Sequence, residues 1–386
     1  MEELKYVDRR NTNCGKWDGL SYMFGRDDLI AMWVADMDFQ APGCVKEAMM
    51  HYVEQGVFGY YAVPPSYYDA FLEWEKKHYD FQVEKEWIRF SPGVVAGFSW
   101  AIQIMTDPGD AVIVMTPVYY PFMNAIKNNK RKLITCDLKN QKGIYTIDYD
   151  NFEKKIEENQ VKLFIMCSPH NPVGRVWKKE ELSRMLEICK KHHVMVISDE
   201  IHQDLTYEGH KNIPALLDEE YHDMLISMTA PSKTFNLAGV QNSIILIANN
   251  ALRQKWDQFV EGIRVKSGNT FGYIAAEAAY RGGEEWYEAV KCQIVKNFHY
   301  LSDTLKEKLP QVVVSPLEGT YLAWVDLRAY EKTEKIKDKI INECKLAVDF
   351  GDWFGGERYR GFIRMNLATS FENVVTAVDG LVHCFK

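Results

Sequence analysis

Three segments in the middle of the chain share one pattern, an unbroken apolar run that stops at a cluster of polar residues. Leu163-Phe164-Ile165-Met166-Cys167 runs into Ser168-Pro169-His170-Asn171-Pro172-Val173-Gly174. Val194-Met195-Val196-Ile197-Ser198 runs into Asp199-Glu200-Ile201-His202, and Met224-Leu225-Ile226-Ser227-Met228 into Thr229-Ala230-Pro231-Ser232-Lys233-Thr234-Phe235-Asn236. Short runs without alternation predict strands buried on both faces, as in a parallel sheet. The polar tips of such strands converge on one edge, where open α/β sheets place their ligands. Asn171, Asp199 and Lys233 are therefore expected to face one crevice. Each alone has a plainer reading: Asn171-Pro172 as a turn, Asp199 as a helix N-cap, Lys233 as a solvated surface charge. Three of them in order, each at a strand tip, favour a site. A lysine desolvated there loses part of its ammonium character and becomes a usable nucleophile.

Residues 46–285 alternate helical patterns with short apolar strands, among them Ala111-Val-Ile-Val-Met115 and Ser243-Ile-Ile-Leu-Ile-Ala248. This predicts a mostly parallel sheet covered by helices, an α/β large domain. Ser91-Pro-Gly-Val-Val-Ala-Gly97 lies between the apolar Trp87-Ile-Arg-Phe90 and the helical pattern Phe98–Met105. Strand, glycine-containing turn and helix start can aim free N–H groups at an anion, although such turns are common. Glu284–Leu309 reads as a long amphipathic helix leading into a smaller α+β domain over 286–386. Its strands are expected at Gln311–Ser315, Thr320–Asp326 and Phe362–Met365. Ala41-Pro42-Gly43 marks a break, and residues 1–45 are expected to pack on that smaller domain.

Composition narrows the classes. The 386 residues carry 46 basic and 54 acidic side chains, a net charge of −8. With no long basic run, nucleic acid is not expected as a partner. No apolar run reaches the ~20 residues of a membrane span. The charged start Met1–Arg10 does not resemble a signal peptide, so a cytoplasmic location is expected. The eight cysteines (Cys14, Cys44, Cys136, Cys167, Cys189, Cys292, Cys344, Cys384) form no Cys-x-x-Cys pair, and no metal site is expected.

The segments Ser168–Gly174, Ser198–His202 and Ala230–Asn236 together resemble the pyridoxal-phosphate enzymes of the aminotransferase superfamily, fold type I. Met32-Trp-Val-Ala-Asp-Met-Asp-Phe39, Pro117-Val-Tyr-Tyr-Pro-Phe122 and Leu237-Ala-Gly-Val-Gln241 resemble its bacterial carbon–sulfur β-lyase branch, the cystathionine β-lyases. The resemblance runs from about residue 30 to Arg364. It implies a seven-stranded, mostly parallel sheet and a homodimer with active sites at the subunit interface. It implies pyridoxal phosphate bound to Lys233, with Asp199 at the pyridine nitrogen, Asn171 at the phenolic oxygen and Tyr119 stacked on the ring. The backbone of Val94 and Val95, the Ser232 hydroxyl and Tyr60 reaching across to the partner would hold the phosphate. Core packing is the other reading of Tyr119, and Tyr61 competes with Tyr60. Arg364, in Gly361-Phe-Ile-Arg-Met-Asn366, would grip the substrate carboxylate, unless it makes a surface or interface salt bridge. Side-chain recognition would fall to the region of Trp33, Asp36 and Tyr120.

Two positions depart from the ordinary aminotransferase pattern. His202 stands where many transaminases have a tyrosine, and Gln241 where many have an arginine on the phosphate. Both fit the lyase branch; a purely structural His202 remains equally open. The expected reaction is β-elimination on a sulfur amino acid such as cystathionine, cystine or cysteine, giving a thiol or sulfide, pyruvate and ammonia. Transamination is the alternative, and a non-catalytic binding or regulatory member of the fold a second one.

Overall fold

The computed structural model describes residues 3–207 and 209–386. Seven strands form the central sheet: β1 (Ile88–Ser91), β2 (Ala111–Thr116), β3 (Lys132–Asp137), β4 (Leu163–Cys167), β5 (Met195–Asp199), β6 (Leu225–Thr229) and β7 (Ser243–Leu246). Their order is β1-β7-β6-β5-β4-β2-β3, and β7 alone runs against the rest. The residues of β2, β4, β6 and β7 are all buried, as unbroken apolar runs covered on both faces require. The register sets Cys167 beside Asp199, and Asp199 beside Met228. Three strand ends are thereby level at one edge.

The helix that follows β1 begins earlier than the apolar pattern suggests. Of the helices that matter to the site, α1 spans Pro65–Tyr79, α2 Val94–Met105, α3 the single turn Pro231–Thr234, and α4 Glu284–Lys308. Val94 and Val95 are thus the first two residues of α2. This helix lies close on the sheet because Gly97 has no side chain. A Cβ there would stand 2.9 Å from both Ile245 Cδ1 and Ser91 Oγ.

In α4, Trp286, Val290, Ile294, Leu301 and Leu305 recur at helical spacing and are buried. Each such side chain contributes about 1.5–3 kcal/mol by leaving water. A second, antiparallel sheet follows, made of β8 (Val313–Val314), β9 (Leu322–Asp326), β10 (Asp349–Phe350) and β11 (Phe362–Asn366) in the order β8-β9-β11-β10. Strands β8 and β9 begin two residues later than the sequence pattern predicts, β8 also ends one residue sooner, and β11 begins as expected and runs one residue further. Leu346–Ala347 pairs in parallel with Ile30–Ala31, so the two ends of the chain share one small ladder. No helix among the described residues is long and apolar enough to cross a membrane.

Candidate active site

A cavity of about 170 Å³ opens at the level strand ends of β4, β5 and β6. Its lining includes Asn171, Asp199 and Lys233, together with Val94, Val95, Tyr119, His202, Ser232 and Gln241. Nine of the residues that the sequence nominates thus meet around one space.

Lys233 stands on the one-turn helix α3, immediately beyond β6. Its Nζ donates to the carbonyl of Ala35 at 2.5 Å. Burial lowers its pKa to about 8; the fields of Asp36 and Asp199 oppose the shift and that of Arg364 adds to it. Asp199 ends β5, 4 % exposed, and one carboxylate oxygen accepts from the Ile201 N–H at 3.1 Å. Burial pushes its pKa up to about 7 against the pull of that hydrogen bond and of Lys233. An amine and a carboxyl that both titrate near neutrality in one cavity mark a functional site.

Asn171 is oriented from the far end of the chain. Arg364 Nη1 donates to its Oδ1 at 3.0 Å, so Asn171 presents Nδ2 as a donor. Arg364, in β11, is 2 % exposed. Its Nη2 donates to the Trp33 carbonyl at 3.1 Å and to the carboxylate of Asp349. The Tyr119 N–H donates to the Asn171 carbonyl at 3.1 Å, and burial holds the Tyr119 phenol well above its ordinary pKa. Tyr120 lies outside this lining and packs edge-on against Trp353 and Phe354. His202 is buried under Tyr321, and burial, with the charges of Lys233 and Arg364, keeps it neutral.

Helix α2 starts at the cavity with Gly93 before it and no side chain capping its first N–H groups. Those free donors and the helix dipole make an anion site. Tyr60 does not join this cavity; it is fully exposed on the surface of the single chain.

Four contributors escape the sequence reading. The Ala35 carbonyl accepts from both Lys233 and Tyr321. Asn236, with φ +58°, donates to the carbonyls of Met37 and Phe39 and accepts from the Met37 N–H, tying the 35–39 strap to the lysine turn. Asn242 lines the cavity with Nδ2 unpartnered. Asp349 pairs with Arg364. Asn236 and the strap lie in segments already conspicuous in the sequence; for Asp349 no local signal exists.

The family model for aminotransferase class I and II matches residues 28–381. Cystathionine beta-lyase PatB of Bacillus subtilis is 38% identical over 98% of this chain and 97% of its own length. Cystalysin of Treponema denticola, whose crystal structure contains pyridoxal 5'-phosphate, superposes with a TM-score of 0.94 at 35% identity, covering 98% of this chain and 97% of that one. The pyridoxal-phosphate-bound C-S lyase of Staphylococcus hominis gives a TM-score of 0.93 at 35% identity, over 99% and 97%. With an amine, a carboxyl and an amide level at three strand ends, and with likeness along almost its whole length, the chain belongs to the aminotransferase class I and II family.

Proposed function

We propose that this protein is a pyridoxal-phosphate-dependent carbon–sulfur β-lyase, which converts a sulfur amino acid such as cystathionine to a thiol, pyruvate and ammonia. The observation that carries the reading is the meeting of Lys233, Asp199 and the Arg364-oriented Asn171 around one cavity. The donor set fits the cofactor group by group. Lys233 offers an amine for the aldehyde, Asp199 a carboxylate for the ring nitrogen, and Asn171 an N–H for the ring oxygen. The phosphate has the first amides of α2 at Val94 and Val95 and the Ser232 hydroxyl. The unpartnered Nδ1 of His202 and Nδ2 of Asn242 are further polar atoms at the lining. A protonated ring nitrogen beside Asp199 would favour its ionised form.

When bound, pyridoxal phosphate supplies the electron sink for charge left at the substrate's Cα. Asp199 would hold the proton on the ring nitrogen, and Tyr119, which lines the same cavity, would pack beside the ring. Arg364 binds the α-carboxylate and so fixes the direction of the Cα–H bond. Lys233, whose ammonium is disfavoured by burial, would take the Cα proton at Nζ. The same Nζ can pass that proton to the departing sulfur. Over the whole reaction cystathionine and one water become homocysteine, pyruvate and ammonia.

The lyase branch is favoured over transamination by His202 and Gln241 at the lining, and by the names of relatives alike over nearly full length. Incubating the holoenzyme with cystathionine should give homocysteine and pyruvate with no added keto acid. Strict dependence on a keto acid would overturn the reading.

We place the enzyme in the cytoplasm, where its eight free cysteines stay reduced. The working unit is a homodimer. Val57 and Phe58 are 72 % and 61 % exposed beside the fully exposed Tyr60, an apolar surface suited to a second copy. Tyr60 would then reach the partner's phosphate site. A monomeric, fully active holoenzyme in sedimentation would exclude this.

A further inference from the structure

Cross-strand pairing sets Asp349 of β10 directly opposite Arg364 of β11. The two side chains are 1 % and 2 % exposed and form a salt bridge. The carboxylate that neutralises Arg364 in the free enzyme is therefore Asp349. Its second oxygen, Oδ1, finds no hydrogen-bond donor among the described residues. A buried carboxylate with one bonded oxygen is an incompletely solvated ion. An α-carboxylate arriving at Arg364 would place two like charges on one buried guanidinium, which favours neutralising one of them.

We infer that Asp349 occupies the anchor until substrate arrives and then takes up a proton, so that a neutral Asp349 and the substrate carboxylate share Arg364. Asp349 is a positioning residue in this scheme, and carboxylate binding is coupled to proton uptake. The inference rests on Arg364 as the carboxylate anchor. The groups facing Asp349 suit the change. Arg364 comes from β11, and the hydroxyls of Tyr119 and Tyr120 from the N-cap and first residue of the helix Tyr120–Asn128, both neutral well into the alkaline range. Burial already raises the Asp349 pKa to about 6, with Arg364 pulling the other way. The binding-competent form is the protonated one, so affinity falls as pH rises above that value.

Propionate, which has a carboxylate and no amino group, is the probe. Its Kd for the holoenzyme can be followed by tryptophan fluorescence, since the backbone carbonyl of Trp33 accepts from Arg364 and the Trp353 ring packs on Tyr120. From pH 6.5 to 8.5 the wild-type Kd should rise toward tenfold per pH unit, with about one proton taken up per propionate in weakly buffered dye solution. Asp349→Asn keeps an acceptor for Arg364 but no charge. It should bind propionate more tightly than wild type at pH 8.5, with a flatter profile and no proton uptake. Absence of proton uptake by wild type, or an unchanged slope in Asp349→Asn, overturns the inference while leaving the anchor intact. Undiminished propionate binding in Arg364→Ala overturns the anchor itself.

Discussion

The floor and the wall of the cavity are built by different means. The floor comes from three adjacent parallel strands, whose ends carry Asn171, Asp199 and Lys233 within 63 residues of sequence. The wall comes from the chain's two ends. The carbonyls of Trp33 and Ala35 meet Arg364 and Lys233 across separations of 331 and 198 residues. On the floor the local fold is secured by sheet hydrogen bonds and apolar burial, so the polar groups are free for chemistry. In the wall the polar groups are themselves the fastening. Arg9 bridges Asp36 and Asp38, and Lys16, fully buried, donates to Asp38 at 2.7 Å. Floor variants are thus expected to strike turnover and spare stability; variants of the Arg9, Lys16 and Asp38 fastening in the wall should do the reverse.

The largest effect is expected on the floor. Lys233→Ala removes the amine that binds the cofactor and moves the proton, so pyruvate release should fall on the order of 10⁴-fold or more. Its thermal midpoint should stay near that of the wild-type apoprotein. A comparable collapse in Tm would erase the distinction between floor and wall.

Asp38→Ala is the matching cut in the wall. It takes from the buried Lys16 ammonium its carboxylate at 2.7 Å and leaves it, among carboxylates, only that of Asp36 at 3.9 Å, and removing one member of a buried pair costs about 3–5 kcal/mol. Urea unfolding should show that loss, and a change under 1 kcal/mol would mean the strap is fastened elsewhere. The same residue gives a pH signature. Burial alone would raise the Asp38 pKa, but Lys16, Trp17 and Arg9 together hold it below the ordinary carboxylate value. A carboxylate with a depressed folded pKa contributes its full stability above its unfolded pKa and loses it as pH falls through the folded one. Wild type should therefore lose part of its stability on acidification below about pH 4. Asp38→Ala should lack that part.

Asn236→Ala tests the seam between the two regions. Its amide donates to two strap carbonyls and accepts one strap N–H, and leaving such groups unpaired costs about 1–3 kcal/mol. Because the strap carries the Ala35 carbonyl on Lys233, KM for cystathionine should rise as well. A stability loss with unchanged KM would show that the strap fastens the fold without shaping the site.

The floor was legible because its signals are local. An apolar run of five residues is itself the record of burial on both faces, and a parallel sheet lines such runs up whatever lies between them. Leu163–Cys167 agrees with the pattern to the residue, while the two neighbouring strands begin and end one residue later than the apolar runs. Helix α2 begins four residues before its apolar pattern does, since a first turn facing a cavity needs no apolar stripe. Tyr60 was nominated by resemblance alone, and its full exposure on one chain leaves its role to a second copy.

What the sequence determined by itself was the α/β class, the sheet edge and the amine, carboxyl and amide on it. Each depends on residues within one strand and its tip. What only the tertiary structure decided was the company those groups keep: Ala35 on Lys233, Asn236 on the strap, Arg364 on Asn171 and Asp349 on Arg364. These contacts depend on how the chain's ends close over the sheet. Nothing in the residues beside Asp349 marks it as the charge opposite Arg364; the antiparallel register of two strands does.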